Sequence, residues 1–157
     1  MIRVQEEPFD PAAETASLAL RSGNAGAVAT FIGIVRGANE EAAVTRLHLD
    51  HYPGFTESVI GRMAAEAEAR FPLLALAVVH RYGDLGPGEP IVFVGAAAEH
   101  RRAALEAVDY LMDRLKTEAP FWKREDGPTG FRWIEPREAD HADRARWTSE
   151  GSEDARD

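Results

Sequence analysis

Lys116 and Lys123 flank Ala119-Pro120-Phe121-Trp122, and Arg124 and Glu125 follow at once. Cations set among aromatics and a proline are the material of an anion-binding site. A lysine desolvated near other cations has a lowered pKa and serves as acid, base or nucleophile. Arg36, His100 and Arg101 also fall where elements are expected to end or begin, and Glu125 is placed to orient a lysine by ion pairing. Such a cluster suits a phosphate or carboxylate ligand. Each residue also has a plainer use. Lys116 suits the negative end of a helix dipole, Lys123 guards a strand edge, and Arg36 marks a return to water. They make a site only if the element ends converge on one mouth.

The elements that must position them can be read from pattern. Asp10-Pro11 and the acidic Glu14 open a helix of roughly 11 to 22, stopped by Gly23. Residues 26–35 form an apolar, β-branched run that predicts a strand buried on both faces. Alternation from Val44 to Tyr52 predicts a half-buried strand with Leu47, Leu49 and His51 inward. A second helix runs from Thr56 towards Phe71-Pro72. Strands over 73–80 and 90–97 make an antiparallel pair across a loop rich in glycine and proline. A third helix, from about Glu99 to Thr117, must stop before Pro120, because the residue preceding a proline is pushed out of the helical region. Segments 121–125 and 131–135 read as a hairpin with a five-residue loop. The order, αββαββαββ without βαβ alternation, indicates an α+β fold with a mixed or antiparallel sheet. One domain over 1–140 is expected, with 141–157 a polar tail that is frayed or disordered.

Composition narrows the function classes. A formal net charge of -9 argues against nucleic acid as the main partner, and stacking of RNA bases on Phe121, Trp122, Phe131 and Trp133 is opposed by the same charge. No apolar run suits a membrane span or a signal peptide, so a cytoplasmic protein is expected. The chain has no cysteine, which excludes a thiolate nucleophile and a persulfide carrier of its own. No Gly-rich phosphate loop is present. His48, His51 and His80 lack metal-site spacing and read as structural, so no metal and no cofactor is expected.

Several short segments, taken together, resemble one family. Phe31-Ile32-Gly33-Ile34-Val35-Arg36, Leu49-Asp50-His51-Tyr52-Pro53-Gly54, His80-Arg81-Tyr82-Gly83, Pro87-Gly88-Glu89, His100-Arg101, the stretch Lys116 to Glu125 and Arg132-Trp133 are similar, in order and spacing, to the large catalytic subunit of molybdopterin synthase, the MoaE family. The resemblance implies an α/β hammerhead fold and a homodimer. Each protomer would bind a small ubiquitin-like sulfur-carrier subunit, giving a heterotetramer. The carrier's C-terminal Gly-Gly thiocarboxylate would deliver sulfur to cyclic pyranopterin monophosphate, making the dithiolene of molybdopterin. By position, Lys116 and Lys123 would be catalytic, and Arg36, His100, Arg101, Arg124 and Glu125 would bind substrate, partly across the dimer. A non-catalytic scaffold holding the carrier's tail is the alternative. Glu118 departs from the family pattern and is expected to weaken the local positive potential.

Overall fold

The computed structural model describes residues 1–149. Twelve elements follow one another among them: β1 (Ile2–Gln5), α1 (Pro11–Arg21), β2 (Ala27–Ile34), β3 (Arg46–His51), α2 (Phe55–Arg70), β4 (Ala75–Arg81), β5 (Gly83–Leu85), β6 (Pro90–Ala98), α3 (Arg101–Glu118), β7 (Phe121–Gly127), β8 (Gly130–Ile134) and α4 (Glu138–Ser149). They build two four-stranded sheets, ordered β1-β4-β6-β2 and β5-β3-β7-β8. The expected α+β class and the C-terminal hairpin are both present.

The first sheet carries the main core because helices cover both of its faces. Residues alternate across a strand. Ala77, Val79, Phe93 and Ala97 therefore meet Leu18 of α1, while Val78, Val94 and Ala96 meet Ile60 and Met63 of α2 and Leu111 and Leu115 of α3. Helix α1 lies so close that a Cβ on Gly95 would sit 2.6 Å from a Leu18 methyl. The helix itself starts as its sequence dictates: the Asp10 side chain accepts the Ala12 N–H at 2.9 Å, and Pro11 takes the first helical position.

Several expectations need correction. The strand at 26–35 is not buried on both faces; β2 is an edge strand, and Val28, Phe31, Ile32 and Ile34 are exposed. An apolar run reports an apolar environment without saying whether the same chain supplies it. The doubly buried strands are β4 and β6. Second, β1 and β5 were not legible. One pairs in parallel with β4 and the other adds three residues to the edge of β3, too few for a periodic pattern. The hairpin loop is also shorter than expected, since β7 and β8 stay paired to Gly127 and Gly130.

Third, the segment expected to fray from His141 continues α4 as far as Ser149. Trp147 is 8% exposed and packs edge-on against Phe71 and Tyr110, with its Nε1 donating to Asp113 at 2.7 Å. Arg146 reaches Asp109 and Asp113, each at 2.8 Å. Trp147, the ion pairs of Arg146 and that of Arg144 with Glu118 thus fix a helix with no other large apolar side chain. Residues 150–157 of the expected tail lie outside the described residues.

Two histidines give the fold opposite pH dependences. His80 is fully enclosed, and burial pushes its pKa down to about 3. Between about pH 6.5 and about 3 the unfolded chain therefore binds a proton that the folded chain refuses, so this contribution to stability falls as pH drops. His48 on β3 lies between Asp84 at 2.5 Å and Asp50 at 3.0 Å. The hydrogen bond to Asp84, with Asp50 assisting against partial desolvation, raises its pKa. Its contribution is complete below about pH 6.5 and is lost as pH rises through the raised folded value. Replacing His48 by Gln should cost about 0.5–1 kcal/mol near pH 5.5 and nothing near pH 9, read from paired melting curves.

Candidate active site

Helix α3 ends where Pro120 requires. Ala119 is extended, at φ -67° and ψ 125°, and the chain turns directly into β7. Thr56 of α2 fixes the junction, its hydroxyl donating to the Pro120 carbonyl at 3.2 Å. Strand β7 pairs antiparallel with β3, setting Phe121 opposite His51, Lys123 opposite Leu49 and Glu125 opposite Leu47. Phe121 stacks on His80 of β4 with ring centroids 4.0 Å apart and planes 17° apart. Alternation then places Phe121, Lys123 and Glu125 on one face, with Trp122, Arg124 and Asp126 on the other.

The chain's two lysines meet at this junction. Lys116, in the last turn of α3, is exposed, whereas Lys123 is largely enclosed. Burial, reinforced by the positive charge of Lys116 and offset in part by Asp140 of α4, lowers the Lys123 pKa to about 8. An ammonium with that pKa exchanges its proton near neutral pH. His80 adds a neutral ring beside it: its Nδ1 donates to the Arg81 carbonyl at 2.9 Å, and the Lys123 charge further disfavours its protonation.

The remaining site residues fall into groups. Arg36 follows β2 at the end of the sheet where Ile34 pairs with Pro90, and α3, running back from the far end of β6, brings Lys116 towards the same end. His100 and Arg101 stand at the start of α3, where His100 takes the N-cap position without a side-chain cap bond. The fifteen-residue interval from Arg101 to Lys116 spans roughly 22 Å of helix, so one chain does not bring these groups together. Arg36, His100 and Arg101 are exposed and carry no ion pair among the described residues. Arg124 faces away from Lys123, pairing with Asp126 at 2.9 Å beneath the rings of Phe131 and Trp133. Glu125 shares the Lys123 face, yet its carboxylate accepts from Asn39 at 2.8 Å and Arg132 at 3.3 Å rather than from a lysine.

Glu118 does not dilute the positive potential as its sequence position suggested. Its carboxylate is held by Arg114, at 2.8 Å, and by Arg144 of α4. Partial burial opposes its ionisation, but these two cations outweigh burial and keep its pKa below the ordinary value. The pattern missed two groups near the lysines, His80 and Asp140. The first read as structural, and the second lay at the edge of the expected tail. The helix-start signature Pro136-Arg137-Glu138-Ala139-Asp140, with acids in a first turn, was the available signal.

A cleft of about 410 Å³ runs between β2 and α3, lined by Val28, Phe31, Arg101, Leu105, Val108 and Met112 among others. Leu105 is 58% exposed there, an unusual position for a leucine in a finished core. Among the described residues no group of three or more acidic or histidine side chains is arranged to hold a metal ion, and no helix is long and apolar enough to cross a membrane.

Comparison with known proteins places the whole chain beside one family. The family model described as "MoaE protein" matches residues 4–118. The chain is 51% identical over 146 residues to the molybdopterin synthase catalytic subunit of Pseudomonas aeruginosa, covering 93% of this chain and 97% of that one. It is 48% identical over 150 residues to the catalytic subunit of Caulobacter vibrioides, covering 96% and 99%. A solved structure, the molybdopterin biosynthesis MoaE protein of Burkholderia ambifaria, superposes with a TM-score of 0.81 at 45% identity, over 94% of this chain and 97% of that one.

Proposed function

Because the chain belongs to the MoaE family, we propose that it is the catalytic subunit of a molybdopterin synthase, moving sulfur from a thiocarboxylated carrier subunit to cyclic pyranopterin monophosphate. It is an enzyme of molybdenum cofactor biosynthesis, and its class is sulfurtransferase. The observation that carries this reading is the meeting of Lys116 with a largely enclosed Lys123 whose pKa is lowered to about 8. A chain without cysteine cannot carry the sulfur itself, so it must act on sulfur bound elsewhere. The partner is a small ubiquitin-like subunit ending in a Gly-Gly thiocarboxylate, and the reaction takes place in the cytoplasm.

Lys116, at the mouth, meets the carrier's tail and moves protons as sulfur attacks the substrate carbon. Lys123, deeper and cationic at neutral pH, stabilises negative charge that develops on the reacting group. As the carrier gives up sulfur its acyl carbon takes oxygen from water and returns as a carboxylate. Two such transfers build the dithiolene.

Arg36, His100 and Arg101 bind the phosphate and pterin, and the distance along α3 favours a site shared between two copies. A second copy packed in the opposite sense over the exposed β2 edge and the β2–α3 cleft would carry its His100 and Arg101 to the Arg36 and Lys116 end of the first. The apolar exposure of Phe31, Ile32 and Leu105 supports such a homodimer. With one carrier per protomer the assembly is a heterotetramer. Arg124 and Glu125 contribute by holding the β7–β8 hairpin, Arg124 through Asp126 and Glu125 through Asn39 and Arg132. Purified chain, thiocarboxylated carrier and precursor should together yield dithiolene product. A stable complex that forms no product would instead identify a scaffold.

A further inference from the structure

We propose that Asn39, in the connection between β2 and β3, is a positioning residue whose side chain ties the loop that begins at Arg36 to the strand that carries Lys123. The proposal rests on reading Arg36 as a ligand of the substrate phosphate.

The main chain is fixed at both ends of that loop. At its start the Val35 N–H donates to the Glu89 carbonyl at 3.0 Å and the Val35 carbonyl accepts from the Gly88 N–H at 2.8 Å. At its end the Thr45 N–H donates to the Asp126 carbonyl at 2.8 Å. Between these points the chain folds back on itself: the Val44 N–H donates to the Gly37 carbonyl at 2.9 Å, Ala38 bridges Ala43, and the Asn39 N–H donates to the Ala42 carbonyl at 2.9 Å. The Arg36 side chain is exposed and has no hydrogen bond or ion pair of its own among the described residues. Its direction is therefore set by the backbone at Val35 and Gly37, so whatever holds the loop also aims the guanidinium.

Asn39 supplies that hold. Its Oδ1 accepts from the Glu41 and Ala42 N–H groups at 2.8 and 2.9 Å, which shapes the turn, and its Nδ2 donates across to Glu125 Oε2 at 2.8 Å. With N–H groups on one side and a carboxylate on the other, the amide fits only one way round. Glu125 is a firm anchor. Its side chain is 15% exposed, Arg132 of β8 donates to it at 3.3 Å, and it lies two residues from Lys123 on the same face of β7. A second tie, between Arg132 and Glu41 at 3.8 Å, joins two exposed side chains and holds little. The charge-assisted bond from Asn39 thus fixes the Arg36 loop relative to the Lys123 strand.

Asn39→Asp tests this, because its carboxylate still accepts from Glu41 and Ala42 while the donor to Glu125 is replaced by a like charge. In the full chain without carrier or substrate, amide hydrogen exchange across residues 37–44 should quicken roughly tenfold or more, with the melting temperature and exchange in β6 unchanged. In the synthase assay, KM for the precursor should rise roughly tenfold while kcat stays within about twofold, since Lys116 and Lys123 keep their places. In an Arg36→Ala background the same substitution should add nothing to KM, because the group it aims is already gone. Unchanged exchange overturns the proposal, and so does a KM that does not move. A rise in KM that adds to that of Arg36→Ala, a fall in kcat, or faster exchange throughout the chain with a lowered melting temperature would mean that the fold had merely loosened, and overturns it too. If the parent chain forms no product, the sulfur-transfer reading fails, and the exchange measurement alone decides whether Asn39 holds the loop.

Discussion

Lys116→Ala is expected to cut dithiolene formation by about 10³-fold or more while the carrier subunit still binds, because it removes a group acting in the transition state and little else. Lys116 is exposed at the end of α3 and makes no ion pair among the described residues. Its contribution to folding is a helix-dipole interaction of about 0.3–1 kcal/mol. The loss should therefore appear in single-turnover product formation, with the melting temperature nearly unchanged. A second effect distinguishes this variant from a merely unstable one. The Lys116 charge is part of what lowers the Lys123 pKa, so its removal should raise that pKa above about 8 and slow acylation of Lys123 in the free protein. Undiminished turnover in Lys116→Ala would remove Lys116 from the mechanism.

The convergence of the two lysines was legible because it depends on local rules. Pro120 ends the helix, and an alternating strand follows, so Lys116 and Lys123 must lie on successive elements near one turn. Asp10-Pro11, the β4–β6 pair and the hairpin were legible for the same reason. What escaped was non-local. Whether the run at 26–35 was central or at an edge depended on strand pairing with distant segments, and among the described residues β2 pairs with β6 alone and leaves Val28, Phe31, Ile32 and Ile34 exposed. Strand β5 is held by three pairings to β3, and α4 by contacts of Trp147, Arg144 and Arg146 with distant partners, none of which periodicity records.

His100 and Arg101 teach the opposite lesson. Their separation from Lys116 was present in the sequence, since both ends of one long helix cannot line one small pocket. The rise along α3 divides the cations at element ends into two groups, which under the proposed function calls for a second copy of the chain. Proximity in sequence does not put Glu118 beside Lys116. Two residues from Lys116 on a helix is the far side of the cylinder, and there the carboxylate joins Arg114 and Arg144.

Lys123→Met should abolish turnover and make the protein more stable, a combination that a purely structural lysine would not give. At neutral pH the folded chain must keep a charged ammonium largely out of water and beside Lys116, whereas the unfolded chain leaves it solvated with a pKa near 10.5. A fall from there to about 8 corresponds to at most ~3 kcal/mol of destabilisation, of which partial solvent access leaves about 1–2 kcal/mol. The sign follows from proton counting. Between about pH 8 and 10.5 the unfolded state binds more protons, so the parent gains stability as pH rises through that window, and below it bears the full cost. Methionine matches the length of the lysine stem, packs beside Phe121 and Leu49, and carries no charge to bury. Its advantage should therefore be greatest at neutral pH and shrink towards about pH 10.5, as measured by denaturant melts of both proteins across that range. A variant that loses both activity and stability would mean that Lys123 is held by a favourable ion pair and serves the fold first.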